Sequence, residues 1–118
     1  MFKVIRWYFG RLPYALRGLI FATRKDRSFR WHLIIGLFGL ALLLALAWPL
    51  TEVEGLMLVL ATVLVLITEL QNSAVENALN RLHPDHHSTI GRAKDMMAAS
   101  VLLSLVFALA VTLYILIW

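Results

Sequence analysis

Cysteine is absent from the 118-residue chain, so its chemistry includes no disulfide framework, thiolate metal site or cysteine nucleophile. Charge is scarce as well. Asp, Glu, Lys and Arg make up 15% of the residues, against about 25% in ordinary soluble domains. Apolar residues fill the gap, at 61% of the chain, with a mean hydropathy of +0.80. A small domain keeps much of its surface in water, and no single small core hides such an excess. A soluble globular protein is therefore excluded. Also missing is a G-x-x-x-x-G-K-[ST] element, which removes the P-loop class of nucleotide site.

The chain has room for three spans of about 20 residues and for little else. The first apolar run, 33–49, is flanked by Trp31 and Trp48 as interfacial anchors and closed by Pro49. A cleaved signal peptide is excluded here, because the charged leader of about 30 residues is too long for an n-region. The second span covers 55–79 and the third 94–118, with a polar loop at 80–92 between them. Ahead of them, residues 1–30 interleave Lys and Arg with Trp, Phe and Leu, the composition of a helix lying in the membrane interface. Pro13 is expected to kink or divide that helix. The expected fold is an all-α membrane domain, an amphipathic surface helix followed by three transmembrane helices.

Eleven basic residues oppose seven acids, a formal net charge of +4. In a nucleic-acid binder they would form a surface stripe. Here eight lie in the N-terminal segment, and Arg81, Arg92 and Lys94 flank the second loop, so one side of the membrane collects them all. The other side carries only the Glu52/Glu54 turn. The positive-inside rule then makes the N-terminus and the 80–92 loop cytoplasmic, and no nucleic-acid partner is expected.

The second span is not uniformly apolar. Helical geometry places Glu69, Asn72, Glu76 and Asn80 in one narrow stripe, with Glu69 on the order of 15 Å inside the inner boundary. A carboxylate at that depth costs several kcal/mol unless it is paired, hydrated or protonated. A polar seam between helices explains Asn and Ser but rarely needs two acids. The other reading is a wet cleft in which the acids act as base, proton carrier or metal ligand. Asp26, Asp95, Arg92 and Lys94 fall on the same side as Glu76. Carboxylates beside Lys and Arg suit a cation-bridged polyphosphate. Gly91-Arg92-Ala93-Lys94-Asp95 is expected at a helix N-terminus, offering backbone N–H groups to phosphate. The adjacent His86 and His87, with His83 and Asp85, lack helical ligand spacing; a solvated or nucleotide-contacting loop is expected over a metal cluster.

Glu69-x-x-Asn72-Ser73-Ala74-Val75-Glu76, followed by Gly91-Arg92-Ala93-Lys94-Asp95-Met96 and an Ala-rich span, closely resembles the bacterial integral-membrane diacylglycerol kinase family, which includes undecaprenol kinases. The likeness extends more weakly to Tyr14-Ala15-Leu16-Arg17-Gly18-Leu19 and Asp26-Arg27-Ser28-Phe29-Arg30, and so to nearly the whole chain. It implies a homotrimer in the bacterial inner membrane that transfers the ATP γ-phosphoryl group to a lipid hydroxyl. By the same resemblance Glu69 is the general base and Asn72 positions substrate or phosphate. Asp26, Glu76, Asp85, His87, Gly91, Lys94, Asp95 and Tyr14 would form the ATP site, with Asp26 and Glu76 as ligands of the Mg²⁺ cofactor.

Two positions depart from the family pattern. Asn80 stands where the family has Asp, and Asp26 where it has Glu. The block ending in Met96 favours diacylglycerol as acceptor, whereas Phe29-Arg30-Trp31-His32-Leu33 looks more like the undecaprenol type. Outside the kinase class, a small oligomeric transporter or proton pathway carried by Glu69 also explains a buried acid, and a non-catalytic regulatory relative would explain Asn80. A transporter does not need Lys94 and Asp95 at the water boundary, nor a second acid two turns on.

Overall fold

The computed structural model describes the backbone of residues 2–118 and the side chains of residues 4, 6, 7 and 9–118. Five α-helices follow one another, and no strand occurs among the described residues: α1 Phe2–Phe9, α2 Leu12–Lys25, α3 Arg27–Leu46, α4 Glu52–Leu82 and α5 Ser88–Ile117. The helices α3, α4 and α5 are each long and apolar enough to cross a membrane. Helices satisfy their own backbone groups, which is what a chain needs where no water is available.

The N-terminal segment is two helices. Its break lies at Gly10–Arg11 rather than at Pro13, which occupies the first turn of α2, where a missing N–H costs nothing. The Arg11 guanidinium stacks on the Trp7 ring at 3.7 Å, across that break. Most side chains of both helices are exposed, apolar and basic alike, and α2 is pinned to the bundle by the buried Ala22. Met1 and the side chains of Lys3, Ile5 and Tyr8, which the amphipathic reading also used, lie outside the described residues.

Five helix boundaries move relative to the hydropathy reading. The helix expected from 33 starts at Arg27, because Asp26 caps it: its carboxylate accepts the Phe29 N–H at 2.9 Å. It ends at Leu46 instead of 49, since the residue before a proline avoids helical geometry. The second long helix begins at Glu52, three residues early, through a capping box. Thr51 Oγ1 accepts the Glu54 N–H at 3.3 Å and Glu54 returns the bond to the Thr51 N–H at 2.7 Å. The loop expected at 80–92 shrinks to 83–87, because His87 caps α5 by accepting the Thr89 N–H on Nδ1 at 3.2 Å.

The α4 helix is the middle of the bundle, packed against α3 on one side and α5 on the other. Its buried positions, Leu58, Ala61, Val65, Glu69 and Ser73, recur every three or four residues and form one stripe. Both neighbours run antiparallel to it. Gly36 of α3 faces Thr62, close enough that a Cβ at 36 would meet the threonine methyl at 3.4 Å. Further along the same pair, His32 reaches Glu69 and Asp26 reaches Ser73. On the other flank the Thr68 and Ser104 hydroxyls lie 2.9 Å apart and Lys94 meets Asn80. The α2–α3 joint, the end of α4 and the start of α5 are thereby gathered at one end of the bundle. Arg24, Lys25, Arg27 and Arg30 sit there with Arg81, Arg92 and Lys94, while Glu52 and Glu54 sit at the other end.

Candidate active site

At the basic end the α4 stripe changes character. Glu69 and Ser73 are buried, Asn72 is half-buried, and Glu76 and Asn80 are exposed. All five belong to nearly the same helical face, and the gradient arises because α3 begins opposite Ser73. Beyond that turn α3 no longer lies against this face of α4. The stripe read from spacing is thus a path from water to the bundle interior, with an acid near each end about 10.5 Å apart along the axis.

Glu69 is 2% exposed. His32 of α3 approaches it, with Nδ1 3.4 Å from Oε1. That approach falls short of a formed hydrogen bond, and Oε1 has no hydrogen-bond partner. A buried carboxyl oxygen left in this condition is costly. His32 carries no site role in the sequence reading; the only signal was a polar ring at the start of an otherwise apolar run.

Asp26 is the joint between α2 and α3. Its own N–H closes α2 on the Ala22 carbonyl at 2.9 Å, and its carboxylate opens α3. Burial pushes the pKa of this group up. The Phe29 N–H, the Ser73 hydroxyl, the Ser28 N–H and the charge of Arg30 together outweigh that and hold it below the ordinary value. The group remains an anion, next to the turn of α4 that precedes Glu76. A cavity of about 430 Å³ opens beside it between α2 and α4, lined by Ala15, Gly18, Ala22, Asp26, Ser73 and Asn77. Its walls are apolar, and its polar groups cluster where Asp26 meets α4.

A second cavity, about 230 Å³, lies at the α4–α5 turn and brings together Asn80, His83, Asp85, His87, Gly91 and Lys94. Lys94 Nζ donates to Asn80 Oδ1 at 2.5 Å, so the residue that departs from the family pattern is the one that holds the lysine. Gly91 does not stand at a helix N-terminus as expected. It lies one turn inside α5, and its N–H is already used by the His87 carbonyl at 2.9 Å. The expected phosphate-binding N–H groups at 91–95 are therefore spent within the helix. Asp95 is exposed on α5, and Tyr14 is 68% exposed on α2 with the Arg17 guanidinium over its ring at 4.6 Å. Neither residue lines either cavity.

The structure thus brings Asp85, His87, Gly91 and Lys94 into one pocket and sets Asp26 in another. Glu69 and Asn72 stand deeper in the bundle, and Glu76, Asp95 and Tyr14 are left on the surface. Among the described residues no three His, Asp or Glu side chains gather closely enough to hold a metal ion by themselves. Ser73 and Asn77 line the Asp26 cavity although the sequence reading gave them no role.

Fold and site define a polytopic membrane protein with a graded carboxylate cleft at the basic end of a three-helix bundle. The family described as prokaryotic diacylglycerol kinase matches residues 13–116. Among curated proteins, the diacylglycerol kinase of Escherichia coli K12 is 34% identical over 109 residues, covering 89% of this chain and 84% of that one. The diacylglycerol kinase of Haemophilus influenzae is 34% identical over 92 residues, 78% of this chain and 76% of that one. A Helicobacter pylori diacylglycerol kinase is 34% identical over 105 residues, 89% of this chain and 80% of that one. The chain belongs to the prokaryotic diacylglycerol kinase family.

Proposed function

We propose that this protein is an ATP-dependent lipid kinase of the inner membrane that phosphorylates the hydroxyl of diacylglycerol to give phosphatidic acid. The observation that carries the reading is the placement of Glu69. It is a buried carboxylate facing the helix packing, on the same face as the polar groups that reach water at the basic end. A lipid hydroxyl arrives from the bilayer and ATP from water, and such a path joins the two.

Glu69 removes the hydroxyl proton while the lipid oxygen attacks the γ-phosphorus. The bond from that phosphorus to the bridging oxygen breaks, ADP leaves, and the carboxyl group later returns its proton to water. Asn72, one turn nearer the water, positions the acceptor or the transferred group. Lys94 meets the polyphosphate, with Asp85, His87 and Gly91 around it; Asp95 and Tyr14 complete the nucleotide site.

Asp26 and Glu76 are the proposed magnesium ligands. Magnesium is held by one or two carboxylates together with substrate phosphates rather than by an all-protein cage. An anionic Asp26 one turn from Glu76, with no third acid gathered beside them among the described residues, fits a cation that arrives on ATP. Held by Asp26 and Glu76, the cation would supply charge neutralisation to the ATP phosphates.

A homotrimer belongs to this proposal. The three long helices leave wide apolar faces outside the single chain, and Glu76 and Asp95 stand open where a neighbour can complete the site. The clustering of basic side chains at one end supports a cytoplasmic N-terminus.

Purified protein in mixed micelles with radiolabelled ATP and Mg²⁺, offered diacylglycerol or undecaprenol in parallel, is expected to yield labelled phosphatidic acid as the major product. Predominant undecaprenyl phosphate would reassign the acceptor, and no labelled lipid in either arm would overturn the kinase reading. The Asn80→Asp variant converts the contact with Lys94 into an exposed ion pair, worth about 1 kcal/mol or less. The KM for ATP should therefore change by less than about fivefold. A larger change would mean that an acid at 80 acts on the nucleotide itself.

A further inference from the structure

The His32 ring approaches the buried Glu69 carboxylate, and that ring is engaged elsewhere. His32 Nδ1 lies 3.1 Å from the Ser28 carbonyl oxygen, one turn back on α3, and 3.4 Å from Glu69 Oε1. A carbonyl oxygen can only accept. A carboxylate oxygen can only accept. A ring nitrogen facing both must carry the proton itself, so the geometry assigns the Nδ1–H tautomer to His32. The donor is directed at Ser28, which is why Oε1 has no hydrogen-bond partner. A small rotation of the ring redirects it from one acceptor to the other.

We propose that His32 is the positioning residue for the catalytic base. Its Nδ1–H rests on the Ser28 carbonyl and turns onto Glu69 Oε1 when substrate is bound, fixing the carboxylate so that the other oxygen meets the lipid hydroxyl. The proton on Nδ1 never leaves the ring. The lipid proton goes to Glu69, and once that carboxyl group is neutral the ring returns to Ser28. The arrangement supplies a hydrogen bond to the buried acid when substrate is bound and the acid must act as base, and it gives the donor back to Ser28 once the acid is neutral. It also explains a polar ring near the start of an apolar membrane helix, where leucine would pack as well.

The inference rests on the kinase reading, so wild-type lipid phosphorylation is measured first; its absence would overturn that reading and not the assignment of His32. In an active wild type, His32→Leu is expected to lower kcat about 10- to 100-fold, the range for a reacting group that loses its alignment, with the KM for ATP unchanged. His32→Asn hangs an amide N–H from the same γ position as Nδ1 and is expected to recover most of the loss. Leucine and asparagine variants with equal rates, or a leucine variant within threefold of wild type, would overturn the proposal. Nitrogen-15 NMR of the wild-type imidazole adds a readout independent of activity and of any variant's folding. A protonated Nδ1 beside a bare Nε2 is expected, and a bare Nδ1 would overturn the assignment.

Discussion

Glu69→Gln is expected to lower kcat for lipid phosphorylation by about 10³-fold, while ATP binding stays within about twofold of wild type. General-base catalysis contributes roughly 10²- to 10⁴-fold, and an amide of the same shape accepts no proton at neutral pH. Shape is preserved, so the packing of α4 against α3 and α5 is not disturbed. Stability supplies a second and opposite signal. Glu69 is buried, and its Oε1 has no hydrogen-bond partner. A neutral amide removes the cost of burying a carboxylate, so the thermal midpoint of the variant should equal or exceed that of wild type. A structural acid would behave in the reverse way: its loss would lower the midpoint, and activity would fall only in proportion. Labelled lipid assays with thermal melts on the same preparation separate the two. Full turnover by the glutamine variant would remove Glu69 from the role of base.

Why Glu69 was readable in the sequence and His32 was not is a matter of which interactions are local. An acid in the middle of an apolar helix announces its own cost, because lipid leaves it no other explanation. The three long helices were legible for a related reason: in a bilayer the backbone must be satisfied within each segment, and a helix follows. The pairing of His32 with Glu69 depends on the register of α3 against α4, set by the close passage of Gly36 against Thr62. Nothing in either segment alone specifies that register. Helix ends were misplaced for another reason. Hydropathy marks where apolar residues begin, whereas Asp26, Thr51 and His87 start their helices through one side-chain hydrogen bond each, outside the apolar run. The consequence was largest at Gly91, whose N–H was expected to be free and is bonded to the His87 carbonyl. In the proposed nucleotide site the groups left to hold phosphate are then chiefly side chains, Lys94 above all.

In the proposed site Asp26 joins structure and chemistry in one carboxylate, and three substitutions take the two roles apart. Asparagine caps a helix as well as aspartate does, so Asp26→Asn should leave α3 and the thermal midpoint nearly unchanged. It removes the charge, which is all that a magnesium ligand loses to an amide of the same reach. The expected result is a fall of about 10²-fold in kcat at fixed Mg²⁺, roughly 3 kcal/mol of transition-state stabilisation, partly recovered at higher Mg²⁺. Alanine loses both functions and should add a stability loss of about 1 kcal/mol to the same fall in rate. Glutamate, the usual residue of the family here, keeps the charge but is not among the preferred caps. Asp26→Glu should therefore cost stability while retaining most of the rate. The order of rates is then aspartate and glutamate well above asparagine and alanine. The order of midpoints is aspartate and asparagine above glutamate and alanine. If the rates instead followed the midpoints, Asp26 would act on turnover only through the α2–α3 joint, and Glu76 would remain the sole protein ligand for the cation.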